Sequence, residues 1–138
     1  MYSAIEAVGT LFNSTLRMDQ ALQQMLPGGV HDGMVPDTGE VAFPYLVVGE
    51  KVESPDNRLA SFGRSVGIQL HIHSRYRGSL EAARIAARVE YLFDQGQNRL
   101  SIPGWILNSL QLEMNEEFTE DVDQRHRIVR FRARCQPA

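Results

Sequence analysis

Between Ser3 and Leu26, the residues Ile5, Val8, Phe12, Thr15, Met18, Leu22 and Met25 fall at steps of three or four, and Leu11 and Leu26 widen the stripe they draw. This period predicts a helix with one buried face. Pro27-Gly28-Gly29 ends it, because Pro cannot continue the ladder and Gly accepts the left-handed cap. Val30 to Val41 is rich in turn residues, with room for a short strand at Val30-His31. From Pro44 to Glu53 the pattern changes. Tyr45-Leu46-Val47-Val48 is a continuous apolar run, which predicts a central strand buried on both faces at its start. Past the loop Ser54 to Gly63, Val66, Ile68, Leu70 and Ile72 alternate with Gly67, Gln69, His71 and His73. That alternation predicts a strand with one face in the core. The two strands make an antiparallel hairpin whose loop has about ten residues, against a usual two to five.

A second helix is expected from Leu80 to Asp94, with Ser79 as its N-cap and Ala82, Ile85, Ala86, Val89, Leu92 and Phe93 on its apolar side. Gln95-Gly96-Gln97-Asn98 stops it. In the next strand Leu110, Leu112 and Met114 alternate with Gln111, Glu113 and Asn115. In the last, Val129, Phe131, Ala133 and Cys135 alternate with Arg130, Arg132 and Arg134. Helices with one apolar stripe and strands with one apolar face pack in two layers. The expected class is α+β, a mainly antiparallel four- to five-stranded sheet with two helices packed on one face. Residues 1–138 form one domain, since no repeat or linker divides them.

Composition narrows the function classes. A chain of 138 residues, 43% hydrophobic and 22% charged, can bury one core without staples. Its net charge of -3 gives no bulk attraction for polyanions, so any contact with DNA has to rest on a local patch. The one cysteine, Cys135, has no internal partner, which reads as intracellular or as part of a particle assembled inside a cell. The start Met1-Tyr2-Ser3-Ala4-Ile5-Glu6 lacks the basic and apolar segments of a signal peptide. No run approaches the roughly 18 apolar residues that span a bilayer, and no membrane partner is expected.

Little in the chain points to catalysis. His71 and His73 share one face of a strand, a spacing that places two imidazoles on a metal, but zinc sites take three or four ligands. Glu113, Glu116, Glu117, Glu120, Asp121 and Asp123 occupy a strand end and its hairpin loop, where a solvated charge run is the default. Nucleophile elbow, phosphate-binding glycine loop, paired cysteines and helical zinc-protease motif are all missing from the sequence. No catalytic residue, cofactor or metal is expected. The arginine stripe is more informative. Arg130, Arg132 and Arg134 share a strand face, and three readings stay open: internal pairing, contact with a neighbouring subunit, or contact with DNA phosphates. A hairpin centred near Asp121-Val122 would set Glu113 opposite Arg130 and Gln111 opposite Arg132.

Taken in order, several segments resemble one family. They are Val30-His31-Asp32-Gly33 with Val35-Pro36, then Pro44-Tyr45-Leu46-Val47-Val48-Gly49-Glu50, then Ile68-Gln69-Leu70-His71-Ile72-His73-Ser74. Gly78-Ser79-Leu80-Glu81-Ala82 with Ile85-Ala86 follows, and Val129-Arg130-Phe131-Arg132-Ala133 completes the series. The chain resembles the tail completion proteins of long-tailed bacteriophages, also called tail terminators or tail-to-head joining proteins. The resemblance implies a structural virion protein of the tail–neck region, assembled in the host cytoplasm. It implies a homo-oligomeric, hexameric ring that caps the tail tube protein, stops tube growth and meets the stopper or connector protein of the head neck. DNA would transit the lumen without specific binding.

A closed ring needs two different patches per subunit. Arg130, Arg132 and Arg134 together with Glu116, Glu117 and Glu120 are the expected subunit interface, and Arg58, Leu59 and Phe62 the expected contact with the tube. Two alternatives remain: another neck component, such as a stopper or connector adaptor, and a small α+β metal- or ligand-binding domain using His71 and His73.

Overall fold

Ser3 opens the first helix. Its Oγ accepts a hydrogen bond from the Glu6 backbone N at 3.1 Å, satisfying one of the donors that a helix start leaves over. In this computed structural model, which describes residues 3–35, 41–57, 62–76, 78–94, 100–121 and 124–138, α1 runs Ala4–Met18 and α2 Gln20–Met25. The single helix expected from the periodicity is therefore two. Asp19 makes the break: its carboxylate accepts from Leu22 N at 3.0 Å and caps α2. The break resets the phase of the stripe. Met18, expected inside, is 81% exposed, while Leu16 and Leu22 are fully buried.

The strands are β1 (Val30–Asp32), β2 (Tyr45–Pro55), β3 (Arg64–Ser74), β4 (Trp105–Asp121) and β5 (Gln124–Pro137), and α3 spans Leu80–Phe93. Their order in the sheet is β1-β2-β3-β5-β4. The class is α+β as expected, with two corrections. Among the described residues three helices stand where two were expected, and the sheet is mixed, because β1 runs parallel to β2 with Val30 beside Leu46. A parallel pair needs a connection of about a dozen residues or more, and the chain between Asp32 and Tyr45 is long enough for one. All other pairs are antiparallel. Leu46, Val47 and Val48 are all buried, as the continuous run required.

One face of the sheet is dry. Leu46, Val48, Val66, Ile68, Leu70, Ile72, Leu110, Val129, Phe131, Ala133 and Cys135 form one core with Val8, Phe12 and Leu16 of α1, Leu22 of α2, and Ala82, Ile85, Ala86, Val89 and Phe93 of α3. At its centre the rings of Phe12 and Phe93 stack with centroids 4.0 Å apart and planes 9° from parallel, and Phe131 meets both at 5.7 and 5.5 Å. These contacts tie both helices to β5. Burial pushes the Cys135 thiol up from its ordinary range, so this cysteine acts as a small core hydrophobe. Ser79 precedes α3 as expected, but its side chain makes no cap bond. The last strand pair is longer than its apolar alternation indicated.

Asp19 also joins the helices. Arg88 of α3 grips it with both prongs of the guanidinium, Nε to Oδ2 at 2.9 Å and Nη2 to Oδ1 at 2.7 Å. That fork holds the Asp19 carboxyl below its usual range, and the Leu22 N–H adds to the effect, while burial opposes it. A carboxyl whose folded pKa is depressed stabilises the fold above its unfolded pKa of about 3.9 and ceases to as pH falls through the folded value. Asp19→Ala is expected to cost about 2–3 kcal/mol near neutral pH, from a lost cap and a lost charged hydrogen bond. Urea denaturation at two pH values checks this: the deficit should shrink in acid, and an equal deficit at both would mean the pair contributes nothing.

Candidate functional site

The helix layer leaves the other face of the sheet uncovered, and alternation decides what lies there. β5 presents His126, Ile128, Arg130, Arg132 and Arg134, and β3 presents Ser65, Gly67, Gln69, His71 and His73. Two features organise the arginines. β4 carries a bulge between Leu112 and Met114, so Leu112 pairs with Phe131 and Met114 with Arg130. Glu113 is the extra residue. The expected register of Gln111 with Arg132 holds, but Glu113 stands opposite no single partner and reaches both arginines, 2.7 Å from Arg132 Nε and 3.7 Å from Arg130 Nε. Gly67 on β3 supplies the floor. A Cβ there would stand 3.0 Å from Arg130 Nη2 and 3.4 Å from Arg132 Nη2. Arg132 also donates to Ser65 Oγ at 2.7 Å.

Internal pairing is thus partial. One carboxylate serves two guanidinium groups, and among the described residues the Arg134 side chain has neither an ion-pair nor a hydrogen-bond partner. The acidic residues of β4 are divided between the two faces. Glu116 pairs in register with Ile128 on the uncovered face, and Glu117 with Arg127 on the helix side. The Glu117 carboxylate lies 4.0 Å from Arg127, whose Nη1 donates to Asn115 Oδ1 at 2.7 Å. The Glu120 side chain lies outside the described residues.

The loop between β2 and β3 is closed at its neck. Asp56 N donates to Gly63 O at 2.9 Å and Gly63 N to Asn57 Oδ1 at 3.2 Å. A Cβ on Gly63 would stand 2.0 Å from Asp56 O, so only glycine fits that crossing. Arg58 and Leu59 lie outside the described residues. Phe62 stands just before the neck and is 70% exposed.

The histidines gather on the uncovered face, though not as the pair the strand spacing indicated. His71 bonds across to His126, Nδ1 to Nε2 at 2.8 Å, and its Nε2 meets Glu50 Oε2 at 2.8 Å. A carboxylate only accepts, so the His71 proton is on Nε2. That hydrogen bond, joined by one from the Glu50 backbone, holds the Glu50 carboxyl below its usual range. His73 stacks between Tyr45 and His126, with centroids at 4.7 and 4.4 Å. Glu50 and His126 were not picked out from the sequence. A signal for His126 exists in its even spacing from Arg130 on β5, but which strand that face meets is a non-local matter.

Comparison with known proteins places this geometry. The family model for tail completion protein gp17 matches residues 13–136. A chain in the solved virion of a native gene transfer agent particle is similar over 99% of both chains, with a TM-score of 0.84 and 21% identity. The structure of bacteriophage SPP1 gp17 protein is similar over 94% of this chain and 89% of that one, with a TM-score of 0.60 and 22% identity. At those identities the likeness is one of fold. No curated protein matches the chain.

Gly49 is where the cluster is most open to test. It lies in the β2 bulge between Val48 and Lys51, and a Cβ there would stand 2.6 Å from His71 Cδ2 and 2.7 Å from Nε2. Gly49→Ala should push the imidazole off Glu50 and cost about 1–3 kcal/mol, as overpacking does. Thermal unfolding together with the His71 ring resonances would report both effects. An unchanged ring environment would show that the glycine is not needed for it.

Proposed function

The chain belongs to the family of tail completion protein gp17, structural proteins of the phage virion at the tail and neck, and on that premise we propose that it closes a ring on the end of the tail tube. The family match over residues 13–136 carries the reading. The ring has six subunits, caps the last ring of tube protein, ends tube growth and presents its far side to the stopper or connector of the head. DNA crosses the lumen without specific contacts, in keeping with a net charge of -3.

In this reading Arg130, Arg132 and Arg134 of one subunit meet carboxylates of the next, with Glu116, Glu117 and Glu120 among the acceptors. The partial internal pairing of the stripe supports that role, because the Arg134 side chain has no partner among the described residues and two arginines share Glu113. Charge of this kind sets orientation and encounter rate more than affinity. The two edges of the sheet, β1 and β4, lie on opposite sides of the subunit. A head-to-tail ring contact uses two such different surfaces. The loop with Arg58, Leu59 and Phe62 docks on the tube, where an exposed phenylalanine at a closed loop neck is suited to serve as an anchor.

Two experiments test this. Electron microscopy of particles assembled without the protein should show filled heads beside separate, overlong tails. Tails of normal length that fail to attach would instead assign it to the neck interface, and intact virions would overturn the proposal. Reversing charge at Arg130, Arg132 and Arg134 together should abolish rings while leaving a folded subunit. Rings that persist would remove the stripe from the interface. Phe62→Ala should weaken docking on tube ends about tenfold or more, as loss of a buried aromatic anchor does.

A further inference from the structure

The Glu50–His71–His126 chain has no part in ring closure as set out above, yet it is the most organised group of polar side chains on the uncovered face. Three strands contribute to it: Glu50 comes from β2, His71 from β3 and His126 from β5. The β2 bulge and the missing side chain of Gly49 make room for the His71 ring. His73 and Tyr45 support His126 from the side in a stacked row. We propose that His71 Nδ1 and His126 Nε2 form a two-ligand site for Cu2+, with Glu50 orienting His71 from behind.

Three observations carry this. First, the His71 proton is held on Nε2 by Glu50, so Nδ1 accepts from His126 Nε2, and a cation bound by the two nitrogens displaces that His126 proton to water. A metal-bound imidazole nearly always has its second nitrogen donating to a carboxylate, carbonyl or water, which fixes the tautomer. Second, the ring centroids of His71 and His126 lie 5.0 Å apart. With metal–nitrogen bonds of about 2.0–2.1 Å, two imidazoles on one cation hold their centroids about 4.5–5.2 Å apart for right-angled to tetrahedral geometry. The rings therefore need to tilt but not to move apart. The nitrogens, now 2.8 Å apart across a hydrogen bond, open to about 3.2 Å at that centroid spacing. Third, imidazole suits copper, zinc and nickel, and copper(II) binds most tightly of the series.

Among the described residues no group of three or more His, Cys, Asp or Glu side chains is placed to hold a metal ion. The proposed site is accordingly an open chelate whose remaining positions go to water, distinct from a closed structural zinc cage. His73 is a support and not a ligand, since its ring is within 12° of parallel to His126. Occupation ties β3 to β5 near the turn end of the β4–β5 hairpin and stabilises the fold by mass action.

Cu2+ added to the full-length chain tests the site, followed by isothermal titration and electron paramagnetic resonance. One equivalent should bind with the hyperfine pattern of two nitrogens. His71→Ala and His126→Ala should each lose that signal and His73→Ala should keep it. Glu50→Gln should weaken binding about tenfold, the lower end of what losing an orienting partner costs. Where an alanine variant fails to fold, His126→Gln keeps a polar group facing His71 and replaces it. No saturable uptake by the wild type, a one-nitrogen spectrum, or a signal that survives both His71 and His126 variants would each overturn the proposal. None of these outcomes depends on ring formation.

Discussion

Three phenylalanines set the frame in which every other residue acts. Phe12 of α1 stacks on Phe93 of α3, and Phe131 of β5 meets both. Aromatic contacts of this kind add about 0.5–1.5 kcal/mol beyond burial, and they favour specific ring geometries. Because all three rings are fully buried, the helices cannot slide over the sheet without opening a cavity. The layer is thereby held on one face. The opposite face is left to side chains that alternate with the core set, and these include all the arginines of the stripe and the bonded histidines.

That division explains how so polar a face is tolerated. β5 places three guanidinium groups in a row, and a flat antiparallel pair would offer them one carboxylate in register. The bulge at Glu113 changes this by swinging a single acid between two arginines. Gly67 lets the guanidinium groups lie close against β3. The same device recurs at Gly49, where a bulge and a missing side chain admit His71. Bulges also break the regularity of β4, which is an edge strand along its whole length. A long regular edge invites unwanted strand pairing, and bulges are one way proteins prevent it.

The fold is shared with a virion chain at 21% identity over essentially the whole length. So low an identity is compatible with one architecture because volume and pattern, more than particular side chains, decide whether a two-layer core forms. The ring proposed above makes a further demand, since neighbour contacts have to be built from exposed residues without disturbing that core. The uncovered face meets that demand, as it lies outside the helix–sheet interface.

Local patterning determined a good deal of this protein. The α+β class, the burial of Leu46-Val47-Val48, the alternation of β3 and β5 and the apolar side of α3 follow from periods of 2 and 3.6, which are properties of neighbouring residues. The family was legible too, in the order of those segments. What tertiary structure decided is what depends on partners distant in sequence. Asp19 ends α1 because its carboxylate caps Leu22 and is gripped by Arg88, and the second of those residues is 69 positions away. β1 lies parallel to β2, a pairing that no local pattern specifies. His71 meets His126, 55 positions away, in place of His73 two positions away, because β3 pairs with β5. Side-chain period tells which face a residue takes, and only strand pairing tells what it meets there.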